Sequence, residues 1–138
     1  MSEGFEGAWE EIGVSAALAK SYASDQGSFL PMLAGLLDGS MPEALEIERK
    51  PIRFLSKDKR ITLLRLHLGD DTYMLQQPDP DGRLIGWHVK TVRGITLKTE
   101  QIPLDRWLAE VGAIVTERAK QSETAALALK NFLEVKNL

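Results

Sequence analysis

Between residues 61 and 101, four segments of alternating apolar side chains are joined only by GDD, PDPDG and TVRG. Connections that short permit antiparallel pairing and leave no room for the crossovers of about a dozen residues that parallel strands need. The alternation begins earlier, so strands are expected near 44–49, 52–55, 61–68, 72–77, 83–90 and 95–101, with SKDKR as a further turn. If Gly69 lies opposite Thr72, then Leu68 meets Tyr73 and Leu66 meets Leu75. Setting Leu75 against Ile85 places Tyr73 beside Trp87, with Trp87 opposite Leu97 and Val89 opposite Ile95. One face of the meander then carries Leu64, Leu66, Leu68, Tyr73, Leu75, Ile85, Trp87, Val89, Ile95 and Leu97, joined by Ile52 and Phe54.

The flanks have a different period. Val14 to Ala23 and Ser28 to Asp38 read as helical, with Phe29, Leu33, Leu36 and Leu37 on one stripe, a break or kink at Gly27 and Pro31, and Gly39 as the terminating glycine. Leu104, Trp107, Leu108, Val111, Ile114 and Val115 form a second stripe, resumed by Ala125, Leu129, Phe132 and Leu133. That pattern is met by one helix over 104–134 or by two broken near Ser122. The expected fold is therefore one α+β domain of 138 residues. It has a helical segment over 1–43, an antiparallel meander of five or six strands over 44–102, and a long helix or helical hairpin over 103–138. That helix is expected to cover the apolar sheet face, with Trp107 meeting Trp87, and to leave no cleft with convergent reactive groups.

Several chemistries are excluded by what is missing. There is no cysteine, so disulfides, thiolate metal sites and cysteine nucleophiles cannot occur. MSEGFEGAWEE has no basic or apolar leader pattern, and no apolar run approaches the roughly 20 residues of a membrane span. We therefore expect a cytoplasmic, soluble chain with no membrane segment and no membrane among its partners. No phosphate-cradling glycine loop, nucleophile elbow or S-x-x-K motif occurs, and the adjacent Glu10 and Glu11 diverge on a helix, so no catalytic residue is assigned. Asp70, Asp71, Asp79 and Asp81 fall in turns and lack the spacing of a calcium loop. The only histidines, His67 and His88, are expected on one outward face about 10 Å apart, too far to share a metal. No cofactor or metal is expected.

Charge is distributed unevenly. Residues 1–48 carry nine acids against Lys20 alone, whereas residues 49–65 carry seven bases against Asp58. The basic patch Arg49, Lys50, Arg53, Lys57, Lys59 and Arg60 raises the question of a polyanion. Its only aromatic, Phe54, is expected to point inward, and charges of this kind keep an edge strand in solution, so nucleic-acid binding is disfavoured. Ile61, Leu63, Met74 and Leu84 project away from the expected core and need a cover, either the N-terminal helical segment, which is favoured, or a second molecule. With Leu129 and Phe132 on the terminal helix they form the candidate interaction surface. Should a ligand pocket exist between sheet and helix, Tyr73, His88 and Arg93 are its nearest polar residues.

The phrases LHLGDDTYML, VKTVRGITLKTEQIPLDRWL and ETAALALKNFL resemble a type of small actinobacterial protein of unknown function, over most of residues 44–133. In outline the chain is also similar to type III secretion chaperones, which act as homodimers and hold unfolded segments of a secreted partner. Neither resemblance transfers a site residue. Together these observations lead us to expect a non-enzymatic interaction module with an unidentified protein partner and a homodimeric state. The alternatives are a ligand-binding or enzymatic domain, and nucleic-acid binding through 49–65.

Overall fold

The computed structural model describes the backbone of residues 3–80 and 82–136 and the side chains of 13–80 and 82–134. Glu10, Glu11 and Asp81 lie outside the described side chains. The fold is α+β, with two helices, an antiparallel five-stranded sheet and two further helices in chain order. Two compact units are present, one from the described residues up to Pro42 with those from Leu108 onward, the other Glu43–Trp107.

The first unit is helical. α1 (Glu3–Ser24) and α2 (Gln26–Ser40) are separated by one residue, Asp25, whose carboxylate accepts from the Ser28 N–H at 3.2 Å and caps α2. The break therefore precedes the expected Gly27 and Pro31, and Pro31 sits within α2 in its second turn. Tyr22 and Phe29 meet edge to face across the joint, with ring centres 5.4 Å apart. Gly39 does not terminate α2 but lets it approach α4 (Glu123–Lys136), since a Cβ there would lie 2.6 Å from the Ala128 Cβ. Gly112 in α3 (Leu104–Gln121) does the same against Ser15 of α1. α3 and α4 are separate helices, and Ser122 caps the second by accepting from the Ala125 N–H.

The second unit is the sheet, in the order β1 (Leu45–Pro51), β2 (Lys59–Leu68), β3 (Asp71–Gln76), β4 (Ile85–Val92), β5 (Ile95–Ile102). Residues 52–55 form no strand. They belong to the loop between β1 and β2, and Ile52 and Phe54 are exposed instead of joining the core. The β2–β3 turn is Gly69-Asp70, with Gly69 at φ +64, so Leu66 pairs with Tyr73 and Leu64 with Leu75. That shift of two residues preserves the expected face. Between β3 and β4 the register differs by one, which exchanges the faces of β4. Leu75 pairs with Gly86 and Tyr73 with His88, while Trp87 pairs with Met74 on the other side.

The cause is visible at Gly86. A Cβ at that position would lie 2.9 Å from Cδ1 of the fully buried Trp107, so the indole rests directly on the β4 backbone. Trp107 thus meets Gly86 and not Trp87. The Arg93-Gly94 turn, with both residues at positive φ, then sets Val92 against Ile95. Ile95 and Leu97 on β5 are exposed, and Ile102 takes the buried end of the strand.

Candidate functional site

An open trough of about 880 Å³ lies in the helical unit. α1 contributes Ala16, Ala17 and Lys20, the end of α3 contributes Ala119 and Lys120, and α4 contributes Ala126, Leu129, Lys130, Leu133 and Glu134. Spacing explains the layout, because Ala16 and Lys20, Ala126 and Lys130, and Leu129 and Leu133 are each four residues apart and share a helix face. Small side chains on the floor leave the space, and lysines stand at the rim. Lys120 contacts Glu117 at 3.7 Å and Lys130 contacts Glu134 at 3.9 Å, both exposed pairs of little energetic consequence. In the sequence these alanines read as ordinary helix formers. The recurrence of alanine or leucine with lysine at four-residue spacing is the signal that marks the trough.

The expected ligand trio is only partly assembled. Tyr73 and His88 are cross-strand partners with ring centres 5.0 Å apart, whereas Arg93 lies in the β4–β5 turn in a left-handed conformation. The structure adds two residues that sequence reasoning does not select. The His88 Nε2–H donates to Asp71 Oδ1 at 2.8 Å, an orientation fixed because an ionised carboxylate can only accept, and Lys90 Nζ lies 3.5 Å from the same oxygen. The hydrogen bond from His88, with the Lys90 ammonium adding to it, holds the Asp71 carboxyl below its ordinary range against the opposing effect of partial burial. Neither the trough nor the smaller cavity on the sheet is lined by these residues.

His67 is on the opposite face from His88, not beside it. It donates from Nε2 to Glu46 at 3.0 Å, and its Nδ1 lies 3.3 Å from the Thr72 hydroxyl. Glu46 also meets Arg65 at 3.1 Å, and the His67 hydrogen bond, reinforced by Arg65, lowers the pKa of its carboxyl. Among the described residues no three His, Asp or Glu side chains converge as a metal site. A shallow cavity of about 250 Å³ lies on this face, between Leu63, Arg65, Met74, Gln76, Trp87 and Thr99.

Of the expected interaction surface, Leu63, Leu84, Leu129 and Phe132 are buried within the chain, while Ile61 and Met74 are half-buried. Among the described residues, the exposed large apolar side chains are Ile52, Phe54, Leu55, Ile95, Leu97 and Leu127. In the basic patch, Arg60 is engaged, donating to the backbone oxygens of Gln77 and Pro78, and Arg65 is neutralised by Glu46 and Glu48. Arg49, Lys50, Arg53, Lys57 and Lys59 are exposed, and none forms an ion pair with a carboxylate among the described residues. No helix among the described residues is long and apolar enough to cross a membrane. Comparison with known proteins found no matching family model, no matching curated protein and no matching solved structure.

Proposed function

We propose that this chain is a non-enzymatic interaction module that holds an amphipathic, acid-flanked helix of a partner protein in the trough between α1 and α4. The observation that carries this reading is the pairing of an apolar floor, Ala16, Ala17, Ala126, Leu129 and Leu133, with a rim on which Lys20, Lys120 and Lys130 outnumber Glu134 among the described lining residues, Lys120 also contacting Glu117. An open trough floored by small side chains lets a helix backbone approach closely, and apolar anchors at helical spacing fit such a floor. A rim of lysines selects acids along the edges of that helix. A closed pocket would favour a small ligand, and this cavity is a trough.

Fluorescence anisotropy with two synthetic helices tests it, one of Leu and Glu, the other of Leu and Lys. The acidic helix is expected to bind and the basic one not. Ala16→Glu with Ala126→Glu, both exposed helical positions, should weaken binding about tenfold or more while circular dichroism stays unchanged. Binding indifferent to peptide charge or to these substitutions contradicts the proposal.

The same module is proposed to be a homodimer. β5 is an edge strand whose Ile95 and Leu97 are 64% and 63% exposed, and an apolar edge with free backbone groups invites a second copy. Light scattering should give a dimer at tens of micromolar and a monomer for Leu97→Lys; a wild-type monomer rules the dimer out.

A further inference from the structure

The loop between β1 and β2 combines three features that a solvated hairpin does not need. Phe54 is 94% exposed, Leu55 86% and Ile52 53%, and all three stand within four residues of one another. A single exposed apolar side chain is ordinary, but a cluster at a hairpin tip is not. The loop is also pinned. Ile52 N–H donates to Asp58 O, Ser56 N–H to Arg53 O, and Asp58 N–H to Ser56 Oγ. The Arg53–Ser56 bond closes a tight turn with Phe54 and Leu55 at its two central positions, and Leu55 is held at φ +63, a conformation leucine disfavours. The backbone therefore presents these side chains outward. Behind them stand Arg49, Lys50, Arg53, Lys57 and Lys59, exposed and unpaired with any carboxylate among the described residues.

We propose that this loop docks the protein on an anionic phospholipid surface, with Phe54 and Leu55 entering the boundary between headgroups and acyl chains and the five cations meeting lipid phosphates. The inference is independent of the trough. An acyl layer surrounds a protruding side chain from every side without a pre-shaped pocket, which suits residues that stand clear of any wall. Cations set around the apolar tip lie where the negative surface potential is felt, within a Debye length of the headgroups. Nucleic acid shares the attraction to the cations, but two aliphatic side chains beside one aromatic offer little for bases to stack on. Strand alternation alone, which turns Phe54 inward, hides this arrangement. No membrane-spanning segment is involved.

The test is sedimentation of the full chain with vesicles of phosphatidylcholine alone and of phosphatidylcholine enriched in phosphatidylglycerol. Binding is expected only to the anionic vesicles and should fall as salt rises. Phe54→Ser with Leu55→Gly leaves the charge unchanged and relieves the positive φ, so the variant folds, yet its partitioning should drop about tenfold or more. Arg53→Glu with Lys57→Glu should abolish binding. Absence of vesicle binding, binding indifferent to lipid charge, or full binding by the Ser/Gly variant overturns the proposal. Capture of a single-stranded oligonucleotide without capture of vesicles overturns it in favour of nucleic acid.

Discussion

Gly86 shows how one residue decides the faces of a strand. Matching side chains across the sheet favours Trp87 beside Tyr73, on the same face as the leucines of β2 and β3, because a glycine contributes nothing to such a match. Its significance lies in Trp107, whose ring occupies the space a side chain would take. Gly86→Ala should therefore destabilise the protein by about 1–3 kcal/mol in urea unfolding, the usual consequence of overpacking. A neutral or stabilising result would mean the indole does not rest on β4. The same register brings His88 over Tyr73 and Asp71. Asp71 ionises more readily in the folded chain than in the unfolded one, so it contributes stability above the ordinary carboxylate pKa. That contribution is lost as pH falls through the lowered folded value. Asp71→Asn should thus lower stability at neutral pH and flatten the acid limb of the stability profile; an unchanged limb means the carboxylate is not held by His88.

At the scale of elements, the meander and its short turns were legible because alternation and turn residues are local properties of the chain. The helices were legible as stripes and the break near Ser122 as one of two readings, but the joint between α1 and α2 was not. Gly27 and Pro31 look like the stronger interruptions, yet Asp25 ends α1 because its carboxylate satisfies a free N–H of α2, while Pro31 forfeits only one backbone bond near the helix start. Gly39 is similar, since its position near a helix end suggests a cap and its role is close packing against Ala128. Gly35, in the same helix, is exposed, and a Cβ there would meet nothing within 4 Å. The pair makes a controlled test by thermal unfolding. Gly35→Ala should raise stability by up to about 1 kcal/mol through helix propensity. Gly39→Ala should lower stability despite the same propensity gain, and equal effects would contradict the close approach of α2 and α4.

For the whole molecule, the sequence showed an acidic first segment followed by a basic one, and no motif of catalysis. It did not show the trough, whose walls come from helices at the two ends of the chain, nor the outward apolar tip, which depends on one turn geometry. Both are arrangements of common residues: alanines, leucines and lysines carry no motif until folding brings them together. The proposed function depends above all on binding within the helical trough. The decisive experiment titrates the isotopically labelled protein with the acid-flanked helix and follows backbone amide shifts. Changes are expected at residues 13–20 of α1 and 119–134 of α3 and α4, saturating together; shifts confined to β2–β5, or none at saturating peptide, would contradict a trough that binds helices.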